Sequence, residues 1–424
     1  MKNSIIFLVV LSLMVACKNE KKDKFLSPIN KNINITNVNI STSENDISTL
    51  DIDNSKCEVI NIPKDIFKST IIINKLLKDI NFIPLETNNK CLIGNISNIL
   101  SDSGFYFIHD QRNNKLYRFD YNGKFLNSIG VIGHGPQEVN SIWNVSIDKQ
   151  KKLISILDTG QAKIVRYNYQ GVFFDVKPLY YFYKQHEYEK NNLVLNKGKS
   201  INNIGKLGSY SLILSDTNQK PIYKAFKYNF ENNKPTNTFT TIRPLRKFKD
   251  RVYYHHPHSN GIWQISDSEL IPIMRFNYEE KGLPDDTWKL KVNRKEMIDI
   301  LGSHIYFSGD YVINNEFCYF KIIGKNNVSS FFFNRNTKEY IYGNTFEEIK
   351  GKPFNLDLFE DPISCRDDNS FIAIKSSSSL AYLKEAILKY PEMKKKITSE
   401  DWNKLKKINV NSNPIIVTYS LKDF

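Results

Sequence analysis

The sequence predicts an all-β fold: a six-bladed β-propeller, with seven blades as the alternative and a short helical insertion in the last blade. Three observations support this fold class. The 424 residues are 41% hydrophobic and 13% aromatic, a composition typical of globular chains and rich in strand-favouring residues. A 48-residue internal repeat consists of short strand patterns, and one stretch near the C-terminus has helical periodicity. The composition excludes a disordered tail, a coil and a collagen-like rod.

The first sixteen residues have the pattern of a secretory signal. Lys2 precedes an apolar run over residues 5–16, which is shorter than the roughly 20 apolar residues that a permanent membrane helix needs. Residues 13–17, Leu-Met-Val-Ala-Cys, resemble the lipobox of bacterial lipoproteins, in which a small residue precedes the lipidated cysteine. We expect residues 1–16 to be removed and Cys17 to carry the lipid, with an ordinary cleaved signal as the alternative.

Residues 17–55 are predicted to be a lipidated tether. They are rich in Asn, Ser, Thr and Lys with isolated Ile, and such a segment buries little surface. The formal charge of the whole chain is +14, and the mature chain has +13 because residues 1–16 contain one Lys and no acidic residue. The densest basic cluster, lysines 394–396, is interpreted as a solvated face or a surface that attracts anionic glycans or headgroups. Export argues against a nucleic-acid partner.

The internal repeat relates residues 105–125 to residues 153–173 without a gap. In each copy a strand ends in Asp, a loop follows, and a second strand leads into a turn built on Gly123 or Gly171. Glycine supplies the positive φ that a tight turn demands. A period of roughly 40 to 50 residues made of short strands is typical of a propeller blade, because one small sheet cannot bury both faces until neighbours stack on it.

Later copies of the repeat are degenerate, so the remaining blades are predicted from strand patterns. Residues 80–424 would hold about seven periods, but apolar residues at helical spacing, broken by Pro391, interrupt them over residues 379–408. Discounting that insertion leaves six blades in a propeller domain over residues 56–424. The later strands are expected at residues 210–214, 221–228, 251–254, 261–265, 271–276, 317–323, 329–334, 371–374 and 414–421.

Closure of the ring requires strands from both ends of the domain to share a blade, so that no sheet edge is left open. The N-terminal candidate is the alternating segment of residues 58–62, Glu-Val-Ile-Asn-Ile. Its expected partner is the apolar segment of residues 414–419. We predict that these two segments pair.

Four stretches of the sequence are similar to those of a known family. They are an opening segment at residues 83–94, a glycine-rich stretch at residues 130–138, a strand at residues 259–265 and a closing strand at residues 413–417. With these stretches the chain resembles the six-bladed β-propeller lipoproteins of Gram-negative envelopes, related to NHL-type and TolB-like propellers. The resemblance implies the fold and an envelope location, and most members have no assigned activity. Gln137 departs from the family's usual glycine.

Two repeated basic positions are candidate ligand-binding residues. Arg118 and Arg166 are equivalent in the 48-residue repeat, as are Lys115 and Lys163. Either these positions conserve a structural contact within each blade, or they form a basic ring around a funnel suited to anionic ligands. The equivalent Asp residues that end the first strand of each copy are expected to cap loops.

Histidines are the other candidates for a binding site. His134 lies in the sequence Gly-His-Gly-Pro-Gln-Glu, which lacks the Lys-Ser/Thr of a phosphate loop and favours an exposed turn between blades. His255, His256 and His258 form a cluster, and His256 and His258 are weak candidate metal ligands. A loop with incidental histidines is the competing interpretation, because Pro257 is expected to end the strand.

Cysteines do not settle the redox state of the domain. Cys57, Cys91, Cys318 and Cys365 remain after the lipidated cysteine, at wide spacing and without a CxxC motif. One disulfide bridge and free buried thiols are both compatible with this pattern.

The sequence therefore predicts a monomeric lipoprotein of the cell envelope, anchored in the outer membrane, whose propeller binds a glycan, peptide or partner protein. No catalytic constellation stands out, so the preferred hypothesis has no enzyme activity and no cofactor. The alternative is a metal-dependent lyase or lactonase that uses a divalent ion in the central channel. Fold analogy supports that alternative, and the sequence does not identify a ligand.

Overall fold

A computed structural model of the chain describes residues 47–52, 57–197, 207, 209–227, 243–278, 281–290, 292–325, 327–349, 352–353, 359–380, 384, 388 and 399–424. The chain divides into two compact units, Met1–Asn34 and Ile35–Phe424, and every described residue belongs to the second. The predicted signal segment, the lipidation site Cys17 and lysines 394–396 lie outside the described residues.

The chain begins with short elements. These are β1 (Ser48–Thr49), β2 (Asp51–Ile52), β3 (Glu58–Asn61), β4 (Thr70–Ile72), the helical turn α1 (Ile73–Leu76) and the longer strand β5 (Leu77–Pro84).

Antiparallel sheets follow, and with β5 they form the six blades of a propeller. Blade 1 is β6 (Ile96–Asp102), β7 (Phe105–Asp110), β8 (Lys115–Asp120) and β9 (Phe125–Ile129). Blade 2 is β10 (Ile142–Asp148), β11 (Leu153–Asp158), β12 (Lys163–Asn168) and β13 (Phe173–Pro178). Blade 3 is β14 (Gln185–Glu189), β15 (Asn192–Asn196), β16 (Tyr210–Asp216) and β17 (Pro221–Lys227).

The second half of the ring has longer connections. Blade 4 is β18 (Leu245–Phe248), β19 (Arg251–Tyr254), β20 (Gly261–Ser266) and β21 (Glu269–Asn277). A 3-10 turn (Thr287–Lys289) and helix α2 (Arg294–Ser303) lead to blade 5, which is β22 (Ile305–Ile313), β23 (Phe317–Gly324), β24 (Asn327–Asn334) and β25 (Tyr340–Gly343). After β26 (Thr345–Ile349) and β27 (Lys352–Pro353), blade 6 is β28 (Ser364–Cys365), β29 (Phe371–Lys375), β30 (Ile415–Leu421) and β5, with helix α3 (Ser399–Leu405) between β29 and β30.

The strand predictions agree with these bounds in the described residues. Each expected strand from residue 210 onward overlaps an observed one, and the ring has six blades rather than seven. Helical residues at 377–380, 384 and 388 and helix α3 lie between β29 and β30, and they overlap the insertion predicted at residues 379–408. Helix α2 was not predicted, although Asn293 and Glu296 form a capping box at its start, a pattern that is visible in the sequence.

The first strand of each blade lies at the centre of the ring. These inner strands contact one another in the order β6, β10, β14, β18, β22, β28 and back to β6, so they enclose a central channel. Blade 6 closes the ring, because the C-terminal strand β30 pairs antiparallel with β5, with Val417 opposite Phe82. The predicted closing strand at residues 58–62 was wrong, since β3 pairs in parallel with the outer strand of blade 4.

The chain before β5 runs along the outer edges of successive blades, and we call residues 47–52 and 57–76 the belt. Its strand β1 pairs with β17 of blade 3, β2 and β3 pair with β21 of blade 4, and β4 pairs with β26 beyond blade 5. Residues 47–52, expected to belong to the tether, therefore extend two blades. Each added strand covers backbone groups that an edge strand would leave open.

The hydrophobic core is divided among the interfaces between blades. Six clusters of buried residues each join two neighbouring blades, including the pair formed by blades 6 and 1. On β24 the alternation of a strand sends Phe331 and Phe333 toward blade 4 and Phe332 toward blade 6. Tyr181 and Tyr183 likewise fill the interface of blades 2 and 3. The aromatic excess is thus used in packing blade against blade.

The repeat extends into a third copy that sequence comparison did not reveal. Asp120, Asn168 and Asp216 lie 48 residues apart and end the third strand of blades 1 to 3. Each side-chain oxygen accepts hydrogen bonds from the backbone two and four residues ahead, at 2.8 to 3.0 Å. In the third copy Gln219 adopts φ 66°, where Gly123 and Gly171 have 83° and 85°. The turn geometry persists after the glycine is lost.

Candidate functional site

Asp110 and Asp158, the aspartates that end the second strand of blades 1 and 2, cap loops as expected. Asp158 is fully buried, and its carboxylate accepts backbone N–H groups of Gly160 and Gln161 in the following loop and of Asn140 and Ser141 before blade 2. Asp110 makes the same kind of contacts in blade 1. These carboxylates are structural, since they hold the inter-blade connection against the blade.

The repeated arginines lie on the third strands, two strands away from the channel. Arg166 is buried, forms a bidentate ion pair with Asp175 of β13, and lies over the ring of Phe174 at 5.2 Å. The hydrogen bond to Asp175 raises the pKa of Arg166. Arg118 lies over the ring of Phe105 at 4.8 Å, and burial lowers its pKa. Both arginines contact their own blades, and a role in ligand binding stays a prediction.

His134 is exposed in the connection between blades 1 and 2. This connection is fastened to blade 2 by Lys163, whose Nζ donates to the carbonyl oxygens of Gly135 at 2.8 Å and Pro136 at 3.2 Å. The Tyr167 hydroxyl donates to the carbonyl oxygen of Gln137 at 2.6 Å. In blade 2 the repeated lysine, Lys163, thus holds the connection from blade 1 in place, while the equivalent Lys115 of blade 1 is exposed.

The histidine cluster is buried in the turn between β19 and β20. Nδ1 of His255 donates to the carbonyl oxygen of Gly261 at 3.0 Å, and burial lowers the pKa of His255 to about 4. Nδ1 of His256 lies 3.0 Å from the hydroxyl of Tyr254, and the ring stacks on Phe226 at 4.6 Å. His258 is buried and adopts φ 61°. Strand β19 ends at Tyr254, three residues before the proline expected to end it.

The described residues contain no group of three His, Cys, Asp or Glu side chains arranged to hold a metal ion. Two other histidines form hydrogen bonds with serine hydroxyls in their own parts of the ring. His109 lies 2.8 Å from the hydroxyl of Ser97, and His186 lies 2.9 Å from the hydroxyl of Ser155. A metal bound by His256 and His258 stays a prediction.

Three basic side chains, two in β18 and one just before it, reach across the central channel. Nη1 of Arg243 donates to Oδ1 of Asn98 in blade 1 at 2.7 Å, and Nη1 of Arg246 lies 3.4 Å from the carbonyl oxygen of Ile363, just before blade 6. Nζ of Lys247 donates to the carbonyl oxygen of Ile147 in blade 2 at 3.0 Å. Adjacent residues of a strand point in opposite directions, so Arg246 and Lys247 of β18 contact different blades.

These cations lie around one buried carboxylate. Glu187 of β14 is 4% exposed, and burial raises its pKa to about 7 although four basic residues oppose the shift. Those residues are Lys247, Arg246, Arg243 and Lys149. Burial also lowers the pKa of Arg243 to about 9, and the neighbouring Arg246 contributes in the same direction. A buried carboxylate with a shifted pKa and several cations around it is a candidate for a functional site.

A cavity of about 40 Å³ lies in the channel at the C-terminal ends of the inner strands. Its charged lining residues are Lys149, Glu187, Lys247, Lys249 and Asp367. Lys149 is neutralised by an ion pair with Asp367 at 2.6 Å. A volume of this size holds about three water molecules, so it admits a small group and not a sugar ring. The channel, rather than the repeated arginines, is therefore the candidate functional site.

Sequence reasoning missed this site, because its residues are far apart in the chain and carry no motif. The available signal was weak: Leu245-Arg246-Lys247-Phe248 places two charges inside a short strand flanked by apolar residues. Glu187 gave no signal, since nothing in the strand sequence Gln-His-Glu-Tyr-Glu distinguishes it from the neighbouring Glu189.

All four cysteines in the described residues are free thiols. Cys365 is at the channel, where its Sγ donates to the carbonyl oxygen of Ile313 at 3.3 Å, and burial raises its pKa to about 12. Such a thiol is held in the unreactive protonated form. In the part of the chain that the structure describes, no helix has both the length and the apolar character needed to span a bilayer.

Comparison with known proteins agrees with this architecture. A solved structure of an exported protein from Bacteroides fragilis is similar to 87% of this chain and 100% of its own, at 19% sequence identity and a TM-score of 0.68. A member of the DUF4221 family from Bacteroides vulgatus matches 82% of this chain and 97% of its own, at 12% identity and a TM-score of 0.46. None of the curated proteins matches the sequence.

The first likeness supports the propeller fold, while the relationship to NHL-type propellers and the lipid anchor stay predictions. The model of a family described as a domain of unknown function, DUF4934, matches residues 57–420. That match includes all six blades, and the protein belongs to the DUF4934 family.

Proposed function

We propose that the chain is an exported lipoprotein whose propeller is a scaffold for binding an anionic glycan, peptide or partner protein of the cell envelope. One observation carries the proposal: in the channel, Arg246 and Lys247 donate to backbone carbonyls, and neither forms an ion pair in the described residues. The proposal requires no enzyme activity and no cofactor.

The physical basis is the focusing of positive charge by the channel walls. The lining is apolar at Leu100, Ile147 and Phe248, so the field of the basic side chains is less screened than on an open surface. An anionic group that approaches along the channel is attracted to blade 4, while the rigid ring holds its position. Such complementarity affects the association rate and the choice of partner more than the buried area does.

The binding proposal is tested with arrays of anionic and neutral glycans and peptides, probed with the purified full chain. We expect the wild type to retain anionic probes in a salt-dependent manner, and the double variant Arg246→Gln/Lys247→Gln to bind them at least about tenfold more weakly. Lys115→Gln, an exposed position outside the channel, is the matched control. Absence of binding to every probe, or equal binding by the wild type and the double variant, would contradict the proposal.

The anchor is tested separately in cells. Metabolic labelling with an acyl-chain analogue is expected to label the wild type and to fail for Cys17→Ala, and density fractionation is expected to place the labelled protein with the outer membrane. A labelled Cys17→Ala variant, or an unlabelled wild type, would disprove the lipid anchor. A labelled wild type that fractionates with the inner membrane would disprove the outer-membrane location.

A further inference from the structure

The cavity at the end of the channel is built from side chains of five blades and accepts one small group. Its polar and charged lining includes Ser101, Lys149, Glu187, Lys247, Lys249 and Ser364. Its volume of about 40 Å³ is too small for a sugar ring. The cavity therefore selects by charge and by the size of a single group.

The charges around the cavity favour an anion. Lys149 is paired with Asp367, which leaves Lys247 and Lys249 at the cavity and Arg246 on the other side of β18. The described lining contains two acidic residues, and because Asp367 is paired with Lys149, Glu187 is the one that faces the remaining lysines. A cation would meet several like charges here, whereas an oxyanion would gain charge-assisted hydrogen bonds from lysine ammonium groups.

We propose that this cavity is a binding site for a single oxyanion group of the sulfate or phosphate type, either a free ion or the end group of a larger ligand. The proposal rests on the scaffold function and names the chemistry that its channel recognises. Lys247 is the central residue, because its ammonium group lies at the cavity and its hydrogen bond in the structure goes to a neutral carbonyl oxygen.

Glu187 makes the affinity of this site depend on pH. A negative Glu187 repels the anion, and a protonated Glu187 removes that repulsion and can donate a hydrogen bond. Since its pKa is about 7, we expect affinity to rise as the pH falls from 8 to 6. The other charged groups around Glu187 and its basic neighbours are Lys149, Arg243, Arg246, Lys247, Lys249, Asp102, Asp148, Asp250, Asp310 and Asp367.

Equilibrium dialysis of radiolabelled sulfate against the purified full chain tests the site, because the charge of sulfate is constant over this pH range. We expect saturable binding of one sulfate per chain, at least about tenfold weaker in Lys247→Met and unchanged in the control Lys115→Met. Glu187→Gln is expected to bind sulfate at pH 8 as tightly as the wild type does at pH 6 and to lose the pH dependence. Circular dichroism confirms that each variant is folded.

The outcomes separate this proposal from the scaffold function. Absence of saturable sulfate binding below about 10 mM, or equal affinity in Lys247→Met, overturns the oxyanion site even if the arrays show a partner. Saturable sulfate binding without any array partner supports the site and removes the scaffold proposal. If Lys247→Met does not fold, sulfate binding by Glu187→Gln tests the location of the site, because the pH dependence of a site elsewhere would not respond to that substitution.

Competition then distinguishes the source of the anion. A phosphate monoester such as glycerol phosphate should displace sulfate as well as inorganic phosphate does if the cavity takes the end group of a larger ligand. Displacement by inorganic phosphate alone assigns the cavity to the free ion.

Discussion

Asp158 illustrates how one side chain can fix the position of a connection between blades. Its buried carboxylate accepts hydrogen bonds from backbone groups both before blade 2 and after β11, so it joins two segments that are about 20 residues apart. Asp110 has the same role in blade 1. At the scale of the residue, the residues that are equivalent in the 48-residue repeat have structural roles. The candidate functional residues have no equivalent in the repeat.

Replacing Asp158 with alanine should leave four backbone N–H groups without the acceptor that they share. We expect the free energy of unfolding to fall by about 2–4 kcal/mol, as measured by urea denaturation followed by tryptophan fluorescence. The control is Asp267→Ala, which removes an exposed carboxylate that pairs with Lys190 and should change stability by at most about 1 kcal/mol. Equal effects of the two substitutions would contradict a capping role for Asp158.

Buried titratable groups set the pH range in which the fold is stable. His186 is fully buried, and burial lowers its pKa from 6.5 to about 3, so the folded state binds fewer protons than the unfolded state between these values. Stability is therefore lost as the pH falls below 6.5, by about 2 kcal/mol at pH 5 for this group alone. Burial lowers the pKa of His109 and His255 to about 4, with the same sign.

Glu187 has the opposite dependence on pH. Its folded-state pKa of about 7 lies above the ordinary 4.5, so the folded state holds more protons and loses stability as the pH rises through this interval. We expect Glu187→Gln to stabilise the protein by about 1–3 kcal/mol at pH 8 and to have little effect at pH 5. Urea denaturation of both proteins at the two pH values measures this; a variant less stable than the wild type at pH 8 would show that Glu187 is needed as an anion.

At the scale of the element, the belt shows how short strands gain stability from tertiary pairing. Strand β3 has four residues, and its neighbours Val59 and Ile60 point to opposite faces, with Val59 58% exposed and Ile60 2% exposed. Ile60 packs in the cluster that joins blades 4 and 5. The belt therefore contributes to an interface between blades as well as to a sheet edge.

These two residues provide a matched test of that contribution. Ile60→Ala should lower the free energy of unfolding by about 2–4 kcal/mol, because it leaves a cavity in the cluster. Val59→Ala should change it by less than about 0.5 kcal/mol. Chemical denaturation of the two variants measures the difference, and a small effect of Ile60→Ala would mean that the belt is dispensable for stability.

At the scale of the whole molecule, ring closure depends on a buried asparagine just before β30. Nδ2 of Asn413 donates to the carbonyl oxygens of Glu86 and Cys91 at 2.6 and 2.7 Å, and its Oδ1 accepts from the backbone N–H of Ile93 at 2.9 Å. The residue thus joins the end of the chain to the segment between β5 and blade 1. Its side chain and the pairing of β30 with β5 together close the propeller.

Asn413→Ala should open this junction. The expected cost is about 2–4 kcal/mol, because the three hydrogen bonds of a buried side chain are lost, and limited proteolysis should cut near β30 at lower protease concentration. The control is Asn411→Ala, an exposed position two residues earlier that should behave like the wild type. Unchanged proteolysis of Asn413→Ala would show that strand pairing alone closes the ring.

The fold was predictable at the level of blades, because the strand pattern and the turn at Gly123 and Gly171 depend on local sequence. The closing strand was not, since residues 58–62 and the strand β5 have similar alternation, and only the path of the chain around the ring decides which one meets β30. The third copy of the repeat was hidden because Gln219 replaces glycine at the positive-φ position. The turn at Gln219 keeps the positive φ of the equivalent glycines although the residue type differs.

The sequence by itself determined the propeller architecture, the helical insertion and the aromatic packing, because short-range alternation and turn residues specify each blade, while the count of six rather than seven came from the closed ring. Only the tertiary structure decided the site, since closing the ring brings Lys149, Glu187 and Lys247 to one channel from three different blades. The same closure leaves Arg118 and Arg166 two strands from that channel. The local sequence pattern specifies each blade, but the meeting of side chains from different blades at the central channel is a property of the closed ring.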